Sequence, residues 1–293
     1  MSAALAAEER SAGREFLFTE RDFNRIRKLI HARAGISLAD TKEQMVYSRI
    51  ARRLRTLRIR SFRDYLDWLE EQDDEAEEWQ AFTNALTTNL TSFFREAHHF
   101  DALNKFLKAQ PRGRPVRIWC TAASTGEEPY SLAITACEAY GTLTPPVSIL
   151  ASDIDTQVLS IAERGVYPME RIERLSAERR KKFFLKGHGA NAGSCRVVEP
   201  LRRLLTFRQI NLLEPRYPVH GPFDVIFCRN VMIYFDKKTQ LEVLRRLIHL
   251  LAQDGLFFAG HSESFFHASD LIRSVGRTIY RRADSGAGRP GGH

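Results

Sequence analysis

Two neighbouring segments combine residue types that could bind a nucleotide-like cofactor. Trp119–Ser131 reads WCTAASTGEEPYS, an apolar strand that runs into a turn of small residues and then into a helix start. This arrangement brings backbone N–H groups close to a ligand. Asn89–Phe100 reads NLTSFFREAHHF and supplies an amide, two hydroxyls and a guanidinium just ahead of that unit. Together the two segments predict a cofactor site with a polar lid.

The turn itself argues against a ligand that is held by its phosphates. It contains no GxGxxG pattern, and a phosphate-binding loop would have more glycines and a lysine. Thr125 and Glu128 have the spacing of a capping box, which leaves Glu127 to face the ligand. An ordinary strand-to-helix turn is the alternative interpretation of this motif when it is taken alone.

An acidic residue follows the second predicted strand. In doubly wound folds an acid at the place of Asp153 accepts both ribose hydroxyls of a bound nucleoside. The alternative role for Asp153 is to cap the next helix, but Asp155 can do that instead. A turn without phosphate features, together with an acid for the ribose, points to S-adenosylmethionine, a nucleoside with a sulfonium and an amino-acid tail.

A third polar segment leaves another predicted strand. Phe227–Asp236 reads FCRNVMIYFD, which puts Asn230 and Tyr234 at the carboxyl edge of the sheet, where ligands bind in such folds. For Tyr234, a core aromatic with its hydroxyl satisfied is the alternative. No histidine has a partner at the spacing of metal ligands, so no metal site is predicted.

The elements that must position these residues fall into two groups, of which the first is helical. Thr19, Thr41 and Ser61 each resemble the start of a helix, where a side-chain oxygen accepts from exposed backbone N–H groups. Residues 19–88 therefore predict an all-helical domain. Residues 1–18 are interpreted as a flexible leader before it.

The second group is an α/β domain. From Val116 onward, short apolar strands alternate with amphipathic helices, which predicts a parallel, doubly wound sheet. Residues 167–205 interrupt this alternation with a basic helix, a glycine-rich loop and a short strand, so a small antiparallel β-subdomain is expected there as an insertion. The cofactor-binding domain is expected to span residues 89–282. Residues 283–293 have low complexity and are expected to be disordered.

Composition limits the class of protein. Apolar residues make up 43% of the 293 residues, and no apolar run approaches the ~20 residues of a membrane span. The N-terminus does not read as a secretory signal. The four cysteines are far apart and are expected to stay reduced. We therefore expect a cytoplasmic protein without membrane insertion, and nothing suggests more than a monomer.

The net charge of +8 is unevenly distributed. Residues 20–60 hold twelve Lys or Arg against four Asp or Glu. Residues 64–78 hold nine acids and no Lys or Arg. For a single arginine, a solvated helix face is the simpler explanation. The cluster as a whole predicts a basic surface that binds an acidic partner.

Five motifs occur in an order that resembles one family, namely NLTSFFRE, AASTGEEPYS, ASDID, FCRNVMIYFD and GLFFAGHSES. Over roughly Thr19–Arg282 the chain is similar to the chemotaxis receptor methyltransferases (CheR). The resemblance implies a Rossmann-like methyltransferase domain with the helical domain packed over the cofactor. It also implies methyl transfer from S-adenosylmethionine to chemoreceptor glutamates for chemotactic adaptation, with S-adenosylhomocysteine as the second product. Carried over motif by motif, the implied cofactor contacts are Asn89, Thr91, Arg95, Glu127, Asp153, Asn211, Leu212, Arg229 and Asn230.

A carboxylate substrate would simplify the chemistry. A glutamate side chain with a pKa of ~4.3 is already ionised at neutral pH, so the reaction needs no general base. Transfer would be an in-line displacement at the sulfonium methyl group, and positioning would supply most of the catalysis. Arg95 and Tyr234 are the residues expected to orient the carboxylate or to face the methyl group.

Two surfaces are expected to bind the receptor. The basic second helix would contact the acidic methylation helices of a receptor through Arg49, Arg52, Arg53 and Arg55. The glycine-rich loop resembles the family's docking site for a receptor's C-terminal pentapeptide, which adds as an extra strand. Its glycines are Gly187, Gly189 and Gly193. A mobile surface loop is the alternative.

Three other functions compete with this interpretation. A nucleic-acid methyltransferase would suit the basic charge, but the Asn/Asp-Pro-Pro-aromatic loop of base N-methylation is absent, and no nucleic acid is expected as a partner. A non-catalytic S-adenosylmethionine-binding signalling protein would need the same binding residues. A nicotinamide dehydrogenase is the weakest alternative, because the glycine fingerprint is missing.

Overall fold

A computed structural model describes residues 14–265 and 268–283 of the chain. The chain divides into two compact units after Thr88. We call them the helical unit and the sheet unit. No helix of the described ranges is long and apolar enough to cross a membrane. Within the same ranges no group of three or more His, Cys, Asp or Glu side chains could hold a metal ion. All four cysteines are free and buried.

The helical unit contains four α-helices within its described residues. They are α1 (Glu20–Ala34), α2 (Glu43–Leu57), α3 (Phe62–Glu70) and α4 (Glu77–Leu86), with a 3-10 turn at Asp40–Lys42. The predicted starts at Thr19 and Ser61 are confirmed, because both side chains accept from backbone N–H groups. The predicted start at Thr41 is wrong. That residue lies inside the 3-10 turn, and α2 begins without a side-chain cap.

The core of the helical unit reaches further towards the N-terminus than the sequence indicated. Phe18 is buried, and its ring lies 4.5 Å from the ring of Phe62 and 5.8 Å from that of Tyr47. Arg14 donates to Gln44 at 2.8 Å. Within the predicted leader of residues 1–18, Phe18 and Arg14 thus contact side chains of the helical unit. Residues 1–13 lie outside the described ranges.

The sheet unit has a seven-stranded sheet and a separate three-stranded sheet. The strands of the larger sheet are β1 (Val116–Cys120), β2 (Val147–Asp153), β6 (Leu205–Gln209), β7 (Phe223–Cys228), β8 (Leu251–Ala259), β9 (Ile272–Gly276) and β10 (Ile279–Arg282). Their order in the sheet is β6-β2-β1-β7-β8-β10-β9. The first five strands in this order are parallel, and β10 is antiparallel to β8 and β9.

Helices cover both faces of the larger sheet. Side chains of α5 and α6 form one apolar core with the sheet, and side chains of α10 form another. The helices are α5 (His98–Lys108), α6 (Glu127–Tyr140), α7 (Thr156–Arg164), α8 (Ala177–Phe183), α9 (Glu199–Arg202) and α10 (Lys237–His249). The sequence did not indicate α5, whose N-cap residue Ala97 has no side chain that can accept a hydrogen bond.

The three-stranded sheet is antiparallel, with the order β3-β5-β4. Its strands are β3 (Val166–Pro168), β4 (Phe184–Lys186) and β5 (Ser194–Val197), and α8 lies between the first two in the chain. This sheet lies between α7 and β6 in the chain, as expected for the inserted subdomain. The predicted α/β architecture with a helical N-terminal region is confirmed. At the other end, Ala283 donates to the Leu271 carbonyl at 2.8 Å, and residues 284–293 of the predicted tail lie outside the described ranges.

Candidate active site

The candidate site lies where the strand order reverses, beside the carboxyl ends of β1, β2 and β7. Four of the six described non-glycine residues with positive φ belong to the loops of this region. They are Phe94, Glu96, Ser124 and Asn230. Such conformations cost free energy and persist where the surroundings hold them, often at ligand sites.

The turn after β1 is tight and is built differently from the expected capping box. Gly126 has φ +100°, and a Cβ atom there would lie 2.6 Å from the Tyr167 hydroxyl. Gly126 is itself the N-cap of α6, which has no side-chain cap. The Thr125 hydroxyl instead donates to Oε2 of Glu127 at 2.6 Å. The predicted capping box is therefore wrong, and Thr125 orients the neighbouring carboxylate.

Asp153 ends β2 and closes against this turn. Its carboxylate accepts from the Ser124 N–H at 2.8 Å and from the Asp155 N–H at 3.0 Å. Burial raises the pKa of Asp153 to about 6, although these backbone donors oppose the shift. Asp155 caps α7 by accepting from the N–H groups of Gln157 and Val158, as the sequence suggested. A carboxylate oxygen has two lone pairs, so Asp153 can still accept hydroxyl donors from a ligand.

The segment that begins at Asn89 is attached to the same turn. The Asn89 amide donates to Oδ2 of Asp155 at 2.8 Å, and its carbonyl accepts from the Ser124 hydroxyl at 3.0 Å. Arg95 is partly exposed and donates to the Leu90 carbonyl at 2.9 Å. The fold therefore brings Asn89, Asp153 and the turn together, although they are far apart in sequence.

Arg229 is fully buried in an ion cluster. Its guanidinium lies 2.7 Å from Glu128 and 3.3 Å from Glu96, and it donates to the Arg95 carbonyl at 2.6 Å. The Cys120 thiol donates to the other oxygen of Glu128 at 3.3 Å. The structure thus does not place the Arg229 side chain at an open surface. The Arg229 guanidinium instead fixes the backbone of Arg95. Any contact between Arg229 and the cofactor therefore has to be made by the main chain of Arg229.

Glu127 has an unfilled hydrogen-bonding position. Its carboxylate is 1% exposed, and its Oε1 has no hydrogen-bond donor among the described residues. The nearest cation is Arg171, whose Nη1 lies 3.5 Å from that oxygen and also donates to the Thr91 carbonyl at 3.2 Å. The sequence reasoning missed Arg171, because it lies in the insertion and only the fold brings it to Glu127 and Thr91.

The remaining predicted residues lie on loops that follow β6 and β7. The side chain of Asn211 accepts from the Leu213 N–H at 3.0 Å, and Leu212 is buried. Asn230 directly follows Arg229 and has φ +58°. Tyr234 is half-buried at the end of a 3-10 turn, and its hydroxyl makes no hydrogen bond to the described residues. That hydroxyl can therefore act on a bound molecule.

Comparison with known proteins assigns the family. The all-alpha domain of the CheR methyltransferases matches residues 21–87, and their SAM binding domain matches residues 89–281. The chain belongs to the CheR methyltransferase family. It is therefore an S-adenosylmethionine-dependent methyltransferase.

Relatives match along most of their length. Chemotaxis protein methyltransferase 2 of Pseudomonas aeruginosa is 58% identical over 92% of this chain and 95% of its own. The chemotaxis protein methyltransferases of Salmonella typhimurium and Escherichia coli are 51% and 49% identical, over 88% of this chain in both cases and 88% and 89% of their own. The solved glycopeptide N-methyltransferase MtfA overlaps 66% of this chain and 59% of its own, with a TM-score of 0.35, a likeness too weak to add to the assignment.

The residues of the site fit S-adenosylmethionine. The unfilled oxygen of Glu127 is an acceptor for an ammonium group, and Asp153 is an acceptor for hydroxyl groups. The turn after β1 has no lysine, which suits a ligand without phosphate. We assign the ammonium group of the amino-acid tail to Glu127 and the ribose hydroxyls to Asp153 as a hypothesis.

This hypothesis predicts that cofactor affinity depends on the ionisation of Asp153. Hydroxyl donors favour the carboxylate, so affinity for S-adenosylhomocysteine should fall as pH decreases through about 6, by up to about tenfold per pH unit. Calorimetric titration between pH 5 and 7.5 measures this fall. Asp153→Asn should bind more weakly, and this contribution to the pH dependence should disappear. Parallel pH curves for the two proteins would contradict the assignment.

The raised pKa of Asp153 has the opposite effect on the free energy of unfolding of the cofactor-free protein, which should rise as pH decreases. The carboxyl group of Asp153 contributes stability below its ordinary pKa of 3.8, and that contribution is lost as pH rises through about 6. Bound cofactor offsets this loss because its hydroxyl groups stabilise the ionised form. The stabilisation by cofactor should therefore be larger at pH 7 than at pH 5.

Proposed function

We propose that the chain transfers the methyl group of S-adenosylmethionine to glutamate side chains of chemoreceptors, which gives glutamate methyl esters and S-adenosylhomocysteine. The observation that carries this proposal is the match to curated chemotaxis protein methyltransferases at 49–58% identity over most of both chains. In this role the enzyme acts on receptors during chemotactic adaptation. We further propose that it works in the cytoplasm as a monomer.

S-adenosylmethionine supplies an electrophilic methyl group when it is bound. The residues of the chain have to orient the acceptor carboxylate and exclude water. The receptor glutamate is ionised at neutral pH, so no residue has to remove a proton. The Arg95 guanidinium pairs with this carboxylate, and the Tyr234 hydroxyl donates a hydrogen bond to the same carboxylate. Orientation of this kind can contribute roughly 7–11 kcal/mol to catalysis.

The loops of the site are held for this task by buried groups. Arg229 fixes the Arg95 carbonyl while Glu128 and Glu96 compensate its charge. Thr125 orients Glu127, and Ser124 bonds to Asp153. Because these partners are in place before substrates bind, little reorganisation is needed during the reaction.

Four arginines of α2 are predicted to bind the receptor, and two of them make contacts within the helical unit. Arg53 forms an ion pair with Glu78, which also accepts from the Tyr65 hydroxyl at 2.8 Å. Arg49 donates to the Ala85 carbonyl at 3.2 Å. These contacts leave the other two, Arg52 and Arg55, as the exposed cations of the proposed surface.

Arg55 and Arg52 differ in how free they are. Arg55 forms an exposed ion pair with Glu15 at 2.8 Å. Arg52 is exposed, and its guanidinium has no partner in the described ranges. Arg52 is therefore the strongest candidate for contact with an acidic receptor helix.

We predict that Arg52→Ala raises KM for a receptor cytoplasmic fragment by about two- to fivefold, because one exposed ion pair contributes up to ~1 kcal/mol. Both kcat and the affinity for S-adenosylhomocysteine should stay unchanged. Added salt should raise the KM of the unaltered enzyme, since exposed charges are screened beyond ~8 Å at physiological ionic strength. Arg203→Ala removes another exposed arginine, from the sheet unit, and serves as the control. If both variants changed KM by the same factor, Arg52 would not belong to the receptor-binding surface.

The proposed site for a receptor tail lies on the three-stranded sheet. Strand β4 forms one edge of that sheet, and Leu185 at its centre is 58% exposed. The glycine-rich loop joins β4 to β5, and Gly189 and Gly193 have positive φ there. An unpaired strand edge beside an exposed apolar side chain suits a peptide that adds as a strand.

Calorimetric titration with a receptor-tail pentapeptide tests this docking site. We expect binding heat with the unaltered enzyme. The affinity for the peptide should be lower in Leu185→Asp, because a charged side chain replaces the apolar side chain that contacts the peptide. Val275→Asp changes another exposed apolar residue, on β9, and should leave binding intact. The absence of heat at high peptide concentration would eliminate tail docking.

The proposed function itself is tested by product chemistry. Methyl-labelled S-adenosylmethionine is incubated with receptor cytoplasmic fragments and, in a parallel tube, with RNA. Mild alkali then releases volatile methanol only from a carboxyl methyl ester. Alkali-labile label on the receptor is the expected result. Alkali-stable label on RNA would indicate a nucleic-acid methyltransferase, and binding without transfer would indicate a signalling protein.

A further inference from the structure

We propose that Glu263 is a positioning residue for the reaction, because it holds the turn that carries Asn230 and Tyr234 to the site. Glu263 belongs to the GLFFAGHSES motif, to which no role has been assigned above. The inference rests on the proposed function only in that Asn230 and Tyr234 are taken as residues of the site. The geometry of the turn is independent of it.

The Glu263 carboxylate accepts four backbone hydrogen bonds. Its Oε2 accepts from the N–H groups of Asn230 at 3.0 Å and Gly260 at 2.5 Å. Its Oε1 accepts from those of Val231 at 3.0 Å and Met232 at 2.7 Å. Three of these donors are consecutive, so the turn forms an anion-binding nest that this carboxylate fills.

The turn is held from two sides, because Glu263 binds the N–H groups at its start and the Gln240 amide donates to the Met232 and Phe235 carbonyls at 2.8 and 3.0 Å. Asn230 has φ +58°, a left-handed conformation that asparagine tolerates better than most residues and that the hydrogen bond from its N–H to Glu263 helps to hold. Glu263 is 5% exposed, so water cannot readily replace it as the acceptor of these N–H groups. Removal of the negative charge would leave up to four buried donors without a charged partner, and the turn would relax.

At Gly260, the segment that carries Glu263 packs closely against the turn at Asn230. A Cβ atom at this position would lie 2.8 Å from the Asn230 backbone nitrogen and 2.9 Å from Oε2 of Glu263. A side chain there would therefore displace both the turn and the carboxylate that binds it. Phe265 follows on the same side and packs against Phe257 of β8, which anchors the segment to the sheet.

The position of Tyr234 depends on this arrangement. Its N–H donates to the carbonyl of Val231 at 3.1 Å, so the 3-10 turn that ends at Tyr234 starts on residues held by Glu263. Val231 and Met232 are both bonded to Oε1. A shift of this oxygen moves the tyrosine hydroxyl without any direct contact between Glu263 and the reacting atoms.

The test combines amide hydrogen exchange with kinetics on Glu263→Gln, Tyr234→Phe and the double variant. In Glu263→Gln we expect the amides of residues 230–232 to exchange at least tenfold faster than in the unaltered enzyme. We expect kcat to fall about 100-fold, as for a displacement of a reacting group by about 1 Å. The double variant should be no slower than the slower single variant, because displacement of the turn in Glu263→Gln already removes the contribution of the Tyr234 hydroxyl.

A matched control separates positioning from general destabilisation. Asp224 is also a buried carboxylate, and it accepts from the Arg117 N–H at 2.8 Å and pairs with Arg114. Asp224→Asn should lower thermal stability without changing exchange at residues 230–232. Independent, multiplicative losses in the Glu263→Gln/Tyr234→Phe variant would overturn the proposal. Unchanged exchange at residues 230–232 in Glu263→Gln would do the same.

Two further measurements keep the outcome decisive. If Glu263→Gln does not fold, exchange in the unaltered enzyme decides, because the amides of residues 230–232 must belong to its slowly exchanging class. Exchange there at the rate of an exposed loop would refute the proposal. If the unaltered enzyme transfers no label to a receptor fragment, the proposed function fails, and the exchange data still test the role of Glu263.

Discussion

Replacing Arg229 with methionine lowers the free energy of unfolding by about 3–5 kcal/mol, the range for removing one partner from a buried ion pair. The Arg229 side chain is 0% exposed, and it is the cation of Glu128 and Glu96. Its loss leaves two carboxylates largely buried without their counter-charge, and the Arg95 carbonyl loses a donor. Urea unfolding with and without S-adenosylhomocysteine measures the loss.

Two further variants make this prediction specific. Arg203→Met removes an exposed partner of Glu199 and should change stability by no more than about 0.5 kcal/mol. Adding Glu128→Gln to Arg229→Met should recover part of the loss, because one uncompensated charge disappears. A loss below about 1 kcal/mol for Arg229→Met would contradict the view that this cluster holds the loops of the site.

Replacing Tyr234 with phenylalanine lowers kcat by about 100-fold, the effect typical of removing one hydrogen-bond donor aimed at the reacting groups. The Tyr234 hydroxyl has no partner among the described residues, so its removal leaves no buried group unsatisfied. Thermal stability and the affinity for S-adenosylhomocysteine should therefore change little. Steady-state kinetics with a receptor fragment, together with calorimetry, separate the two effects.

Tyr140 provides the control for Tyr234. It ends α6, about 20 Å along the helix from Glu127 at its other end. Tyr140→Phe should leave kcat unchanged. Unchanged turnover in Tyr234→Phe would remove its hydroxyl from the mechanism. A fall in product affinity as large as the fall in kcat would instead make it a binding residue.

The sequence determined the features that depend on local patterns. The starts at Thr19 and Ser61 follow from side chains that reach backbone N–H groups three residues away. The strands that end at Asp153 and Cys228 follow from short apolar runs that are bounded by polar residues. The family motifs indicated the cofactor and the reaction class because they keep the same residues in the same order.

Only the tertiary structure decided what the side chains of the site contact. The guanidinium of Arg229 faces Glu128 and Glu96, Arg171 lies beside Glu127, and Glu263 fills the nest of Asn230–Met232. Each of these contacts joins residues that lie between 31 and 133 positions apart. Helical and strand periodicity report only which face a residue occupies. Which buried charge meets which is determined by how the sheet and its crossovers bring distant loops together.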